Sequence, residues 1–129
     1  MLLDEPFEER DLVALRRTVA AHVDRSALPA RRVADLVLIV SELISNAVRH
    51  GGGAGRLRVW ATGSAIHCQV TDEGPGLPAA HRAPPSQPEP TATGGRGLWL
   101  VRQFADALSL ETAPGGGAIV TATVNLPIG

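Results

Sequence analysis

The sequence contains no lysine, since all twelve of its basic residues are arginines. A Walker-type phosphate loop and the ion pair of a protein-kinase site both depend on a lysine, so these two large classes of nucleotide-binding protein are excluded. Tyrosine is also absent, and aromatic residues make up only 3% of the chain, which predicts an aliphatic core. The one cysteine, Cys68, has no partner for an internal disulfide and is compatible with a reducing compartment.

Long hydrophobic runs and an excess of positive charge are missing as well. No stretch of about eighteen apolar residues occurs, which argues against a membrane-spanning segment. The formal net charge is −1, which argues against a nucleic-acid partner, because a phosphate backbone is bound through clustered cations. The 129 residues are enough for one domain with a real core. We therefore expect a single domain, residues 1–129, in the cytoplasm with no membrane partner.

The spacing of apolar residues changes from helical to alternating along the chain. It predicts helices over 8–23 and 31–50, strands over 56–62 and 65–71, a short helix starting near Gly97, and strands over 107–112 and 118–126. Six of the ten prolines lie between Gly74 and Gly95, so that stretch is expected to be irregular. This order predicts an α+β two-layer sandwich, in which a mixed, mostly antiparallel sheet is covered on one face by three helices.

The second predicted helix carries Glu42 and Asn46 four residues apart, so both project from one face. An unpaired carboxylate among aliphatic side chains is costly, and a carboxamide oxygen suits Mg²⁺ that is bound mainly by water and phosphates. Glu42 is also placed to orient or deprotonate a nucleophile. Taken alone, this pair is explained more simply by a solvated polar stripe on an amphipathic helix.

Two glycine-containing segments follow. In Asp72-Glu73-Gly74-Pro75-Gly76, an acid at a strand end is suited to an exocyclic amine such as that of adenine, although a Pro-Gly turn is a simpler explanation. Gly94-Gly95-Arg96-Gly97, just before a helix, offers amide groups and a helix N-terminus to a phosphate. The spacing of these glycines does not match the Rossmann fingerprint.

The three segments, in this order, resemble the boxes of the histidine-kinase-like (GHKL) ATPase superfamily, which includes gyrase, Hsp90, sensor histidine kinases and MutL. Residues 41–50 (Ser-Glu-Leu-Ile-Ser-Asn-Ala-Val-Arg-His) are similar to its N box, residues 72–76 to its G1 box and residues 95–98 to its G2 box. Ser-Glu before Asn46, Arg-His-Gly after it, and Gly-Gly-Arg-Gly-Leu resemble the anti-sigma-factor serine kinases of the RsbW and SpoIIAB type. The resemblance implies a Bergerat-type ATP-binding fold with a flexible ATP lid over residues 77–94.

The resemblance also implies roles for individual residues. Asn46 is expected to bind Mg²⁺, Glu42 to act as the catalytic base and Asp72 to hold adenine. Glycines 74, 76, 95 and 97 are expected to line the phosphates of ATP. The wider set of expected ATP-binding residues is Asn46, Arg49, His50, Asp72, Gly74, Gly76, Gly94, Gly95, Arg96, Gly97 and Leu98.

The activity implied by the resemblance is transfer of the γ-phosphate of ATP to a serine of an anti-anti-sigma (STAS-type) protein, with capture of a sigma factor as a second role. Arg16 or Arg17 of the first helix is a candidate for partner or phosphate contacts, and a homodimer is compatible with the group. Two alternatives stay open: a non-catalytic nucleotide-binding module that sequesters a partner, and the detached catalytic domain of a sensor histidine kinase. One departure concerns Ile119, near which the superfamily often has a threonine; Thr121 is a possible substitute.

Overall fold

The computed structural model describes residues 3–23, 29–50, 53–72, 95–112 and 117–126, without the side chains of residues 23, 50 and 95–98. A short 3₁₀ turn at Glu9–Asp11 separates the first strand from the first helix. The other elements, in chain order, are β1 (Leu3–Glu8), α1 (Leu12–Val23), α2 (Ala30–His50), β2 (Ala54–Ala61), β3 (Ala65–Asp72), α3 (Gly95–Phe104), β4 (Ala107–Thr112) and β5 (Ala118–Asn125). The proline-rich segment expected to form the lid lies outside the described residues.

The five described strands form one sheet in the order β1-β2-β3-β5-β4, and every pairing among them is antiparallel. The predicted hairpin is present, with β2 and β3 joined through Gly63 and Ser64. Pairing of β3 with β5 places the chain's last described strand between the hairpin and β4.

One face of the sheet is covered by helices. Alternate residues of β2, β3 and β5 are buried beneath α2, which packs on all three strands, and α1 and α3 pack against α2 in turn. The core is built from aliphatic side chains, as the shortage of aromatics predicts; its most buried large members include Leu36, Ile39, Leu43, Ile44, Leu57 and Ile66. The fold is thus the predicted α+β two-layer sandwich.

The opposite face of the sheet carries polar side chains that bond across strands. His67 Nδ1 lies 3.0 Å from Thr123 Oγ1, and Gln69 Nε2 donates to Thr121 Oγ1 at 3.1 Å. The ring of Trp60 stacks on that of His67, with centroids 5.2 Å apart. Alternation along each strand therefore separates an aliphatic face from a hydrogen-bonded one.

The connection from α2 to the sheet is short. α2 ends at His50, and Gly53 adopts a φ of 89°, a left-handed conformation that favours glycine. The predicted stop of the helix at the run of glycines is confirmed. Among the described helices, none is long and apolar enough to cross a membrane.

The N-terminal strand was not predicted, and the predicted start of the first helix at Glu8 was wrong. Residues Leu3–Glu8 pair with β2, and the α-helix begins only at Leu12. The Glu8 amide donates to Asp11 Oδ2 at 2.8 Å, which caps the intervening turn. Leu3 and Phe7 are buried on the helix-covered face, so β1 adds to the core.

Candidate functional site

Three polar side chains are buried among the described residues, and two of them are predicted site residues. Their exposed fractions are 6% for Ser41, 2% for Asn46 and 7% for Asp72. A buried polar group is costly unless it is bonded, so each of the three calls for a partner. The buried polar residues thus lie in two of the segments that the sequence motifs identified, residues 41–50 and 72–76.

Asn46 has a buried acceptor with no hydrogen-bond partner among the described residues. Its Oδ1 atom is inaccessible to water, and no described residue donates a hydrogen bond to it. Glu42, one helical turn earlier, is half-buried on the same helix face. A neutral carboxamide oxygen next to a carboxylate suits Mg²⁺, which keeps several waters and takes few protein ligands. The residues present therefore fit a magnesium ion that is carried by phosphates.

Ser41 is a residue of this region to which the sequence analysis gave no role. Its hydroxyl accepts a hydrogen bond from Nε of Arg16, which joins α1 to α2 beside Glu42. Arg16 or Arg17 was expected to contact a partner or phosphate. Nε of Arg16 bonds to Ser41, and the side chains of both arginines are exposed. The sequence signal that could have identified Ser41 is a small hydroxyl residue within the buried stripe of α2.

Asp72 is the last residue of β3 and lies on the helix-covered face. Its Oδ1 accepts a hydrogen bond from the amide of Ala118 at 3.2 Å, which ties the end of β3 to the start of β5. The residue opposite Asp72 on β2 is Gly55. The hydrogen bond from Ala118 therefore fixes the carboxylate on the side of β5. On the side of β2, the neighbouring residue, Gly55, has no side chain.

The connection between α2 and β2 brings Asn46 and Asp72 to the same end of the sandwich. Asn46 lies four residues, or about 6 Å, before the end of α2. The chain then enters β2 at Ala54, and the next residue, Gly55, pairs with Asp72. Because the connection from α2 to β2 is short and Gly55 pairs with Asp72, the C-terminal end of α2 and the end of β3 lie at the same end of the sandwich.

The direction of α3 brings the third segment to the same region. Nη1 of Arg32, at the start of α2, donates to the Phe104 carbonyl oxygen, at the end of α3, at 3.1 Å. The two helices pack together, so α3 runs back along α2 from this point. Its ten residues span about 15 Å, the separation of Arg32 from Glu42 along α2. The glycine-rich N-terminal end of α3 therefore lies towards Glu42.

The remaining predicted residues are only partly described. Arg49 is exposed near the end of α2, and α3 starts at Gly95, slightly earlier than predicted. The side chains of His50, Arg96 and Leu98 lie outside the described residues, although all three belong to helices. Gly97 is within α3, while Gly74, Gly76 and Gly94 also lie outside the described part of the chain.

The register of β5 corrects the expectation about Ile119 and Thr121. Ile119 pairs with Thr71 and Thr121 with Gln69, so both face away from the helices, whereas Asp72 faces them. Thr121 accepts its hydrogen bond from Gln69 on that opposite face and cannot substitute for a threonine beside Asp72. The residue of β5 next to Asp72 is Ala118, which is 1% exposed.

Comparison with known proteins adds independent findings. A family described as the histidine kinase-like ATPase domain matches residues 6–124. The chain is 30% identical over 117 residues to the anti-sigma F factor of Thermoanaerobacter sp. (strain X514), covering 84% of this chain and 80% of that protein. It is 32% identical over 99 residues to the signal transduction histidine-protein kinase AfsQ2 of Streptomyces coelicolor, covering 67% of this chain and 18% of that protein.

A solved structure has the same architecture over nearly the whole chain. The ATP binding domain of PrrB from Mycobacterium tuberculosis superposes with a TM-score of 0.61 at 26% identity. The match covers 97% of this chain and 98% of that one. The two-layer sandwich of this chain is therefore shared with a domain that binds ATP.

Proposed function

The chain belongs to the histidine kinase-like ATPase domain family, and from this premise we propose that it is an ATP-dependent protein-serine kinase of the anti-sigma-factor type. In this proposal it transfers the γ-phosphate of ATP to a serine of an anti-anti-sigma protein and also binds a sigma factor. The observation that carries the ATP-binding part is the buried Oδ1 of Asn46, which has no hydrogen-bond partner among the described residues and lies at the same end of the sandwich as the buried Asp72. The likeness to anti-sigma F factor supports the choice of partners.

The proposed roles follow from the chemistry of each side chain. Asn46 holds Mg²⁺ through its carboxamide oxygen, and Asp72 accepts a hydrogen bond from the adenine amino group. The N-terminal end of α3 supplies backbone amides and a partial positive charge to the phosphates. Bound Mg²⁺ neutralises charge on the phosphate oxygens. These groups bind and orient the nucleotide, which is the larger part of catalysis in phosphoryl transfer.

Glu42 is the proposed base. It accepts the proton of the acceptor serine as the oxygen of that serine bonds to the γ-phosphorus and the bond from phosphorus to the ADP oxygen breaks. Its half-buried position one turn before Asn46 places a carboxylate beside the proposed metal site. Ser41, bonded to Arg16, helps to hold this part of α2 against α1. Arg16 and Arg17 are both exposed on α1, and each is a candidate for a partner or phosphate contact.

Calorimetry tests the nucleotide site directly. The full chain is titrated with ATP in the presence of Mg²⁺ and again in excess chelator, alongside Asn46→Ala. We expect the parent to bind ATP more tightly with Mg²⁺, and the variant to lose that difference because the metal-binding oxygen is gone. An Arg31→Ala variant, altered at an exposed position at the other end of the same helix, serves as the comparison. Absence of ATP binding by the folded parent would refute the proposal.

Phosphoryl transfer is tested with labelled ATP and a STAS-type acceptor protein. We expect an acid-stable phosphoprotein, and loss of at least about a hundredfold in rate for Glu42→Gln, because general bases typically contribute that much. An acid-labile product would instead indicate phosphohistidine and a sensor-kinase function. A stable partner complex that is indifferent to Mg²⁺ and to Asn46→Ala, with no transfer, would indicate a non-catalytic binding module.

A further inference from the structure

A row of aligned residues crosses the sheet at the end of β3. Phe7 of β1 lies opposite Gly55 of β2, and Gly55 lies opposite Asp72 of β3. Directly opposed residues of antiparallel strands direct their side chains to the same face. The Phe7 ring and the Asp72 carboxylate therefore lie on the helix-covered face, with a residue between them that has no side chain. Ala118 continues the row through its hydrogen bond to Asp72.

The ring of Phe7 occupies the space that a side chain at position 55 would take. A Cβ atom at Gly55 would lie 2.8 Å from Phe7 Cζ and 3.2 Å from Phe7 Cε2. The ring thus reaches from β1 over Gly55 of β2, the residue that pairs with Asp72. Phe7 is 2% exposed and Asp72 is 7% exposed, so both are buried.

The position of this row makes its packing important for Asp72. The pair Gly55–Asp72 is the last one of the β2–β3 hairpin, and strand ends open more readily than strand centres. Phe7 is buried and packs against Gly55 of that terminal pair, so it covers the pair from the side of β1. A carboxylate that is to accept one hydrogen bond from a ligand must be held in a narrow range of orientations.

We propose that Phe7 is a positioning residue for nucleobase recognition. Its ring, seated over Gly55, holds the Asp72 carboxylate in the orientation that accepts a hydrogen bond from the exocyclic amino group of adenine. This inference rests on the ATP-binding function proposed above. In this proposal β1 contributes a positioning residue to the nucleotide site, although β1 carries none of the motif residues.

Leu3 provides a matched control for the test. It lies on the same strand and the same face as Phe7 and is buried to a similar degree, at 6% exposure. Its partner is Val59, four residues along β2 from Gly55 and about 13 Å away. A truncation at Leu3 therefore removes core packing from β1 without touching the row that contains Asp72.

The experiment compares full-length Phe7→Ala, Phe7→Leu and Leu3→Ala with the parent. Each is titrated with Mg-ATP and with Mg-inosine triphosphate, which lacks the exocyclic amino group. We expect the parent to prefer ATP and the Phe7 variants to bind ATP about tenfold more weakly, with little change for inosine triphosphate, as for loss of one charged hydrogen bond. Leu3→Ala is expected to retain the ATP preference. If Phe7→Ala does not fold, Phe7→Leu carries the comparison.

The outcomes separate this inference from the function on which it rests. A parent that binds no ATP refutes the proposed function itself. A parent that binds ATP without preferring it over inosine triphosphate refutes the adenine contact proposed for Asp72, and with it the role of Phe7. Phe7 variants that keep the full preference, or a Leu3→Ala variant that loses it equally, would overturn the positioning role of Phe7 alone.

Discussion

The guanidinium of Arg32, at the start of α2, donates to the backbone carbonyl oxygen of Phe104, at the end of α3, at 3.1 Å. The same guanidinium pairs with Asp35 at 2.8 Å and with Asp106 at 2.9 Å. Asp106 in turn accepts the amide of Asn125 at 2.7 Å. One side chain therefore fastens the C-terminal end of α3 to α2 and to the last described strand, while the glycine-rich end of α3 lies towards Glu42.

Replacing Arg32 should destabilise the protein. Arg32→Ala removes two ion pairs and a bond to a helix-end carbonyl from a side chain that is only 22% exposed. We expect a loss of about 1–2 kcal/mol in the free energy of unfolding, measured with urea. Arg31→Ala, at the exposed neighbouring position, is expected to change stability by less than about 0.5 kcal/mol. Equal losses in both variants would contradict the structural role of Arg32.

A side chain at Gly55 should be poorly tolerated. In Gly55→Ala the new Cβ would lie 2.4 Å from the Thr71 carbonyl oxygen and 2.8 Å from Phe7 Cζ, so backbone and ring must both shift. Overpacking of this kind typically costs about 1–3 kcal/mol of unfolding free energy. Gly63→Ala is the matched control, because nothing lies within 4 Å of a Cβ there. Stability is measured by thermal unfolding, and an equal fall in the midpoint temperature of both variants would contradict the close packing at Gly55.

The thiol of Cys68 should be unreactive in the folded protein. Burial raises its pKa to about 12, so the thiolate is scarce at pH 8. We expect a chromogenic disulfide reagent to modify Cys68 only as fast as the protein unfolds, and to react at once in denaturant. Cys68 is fully buried in the core, so its labelling rate is a measure of opening of the sheet. Rapid labelling of the native protein would show that β3 is accessible.

Stability should depend on the ionisation of Asp4 in acid. The hydrogen bond from Arg56 of β2 holds the pKa of Asp4 below its ordinary value of 3.8. Nε of Arg58, also on β2, lies 3.7 Å from Asp4 Oδ1. A lowered folded-state pKa stabilises the protein fully above the unfolded value and loses that contribution as pH falls through the folded value. Asp4→Asn is therefore expected to lower the unfolding midpoint slightly at pH 7, with the difference from the parent vanishing in strong acid.

A second acidic residue controls for removal of charge as such. Glu9 is exposed in the turn that follows β1, and the described residues offer it no ion pair. Glu9→Gln should not reproduce the pH dependence of Asp4→Asn. If both variants differ from the parent in the same pH-dependent way, the effect comes from net charge rather than from the contact between Asp4 and Arg56.

The elements with strong periodicity were predictable, whereas β1 was not. α2 has a wide apolar stripe that ends at glycines, and the β2–β3 hairpin alternates regularly, so both could be read from local pattern. β1 has only Leu3 and Phe7 on its buried face, with Glu5 between them and Pro6 beside it. Charged residues and proline are typical of edge strands, which β1 is, and they weaken the alternation that predicts a strand. Its pairing with β2 decides its structure.

Site residues that belong to a sequence motif could be predicted. Site residues that depend on contacts between separate helices or strands could not. Asn46 and Asp72 could be selected from their segments, and both proved to be buried. The bond between Arg16 and Ser41 joins two helices, and no spacing within either helix indicates it. The position of Ala118 beside Asp72 depends on strand register, where a shift of one residue reverses the face.

The pairing of β1 also has a consequence during synthesis on the ribosome. β1 leaves the ribosome before its described sheet partner, β2, which follows about fifty residues later. Until β2 is made, Leu3 and Phe7 have no strand to pack against, and the row that reaches Asp72 cannot form. Nascent chains halted before residue 54 should therefore leave this end exposed to proteases, and chains halted beyond β5 should protect it.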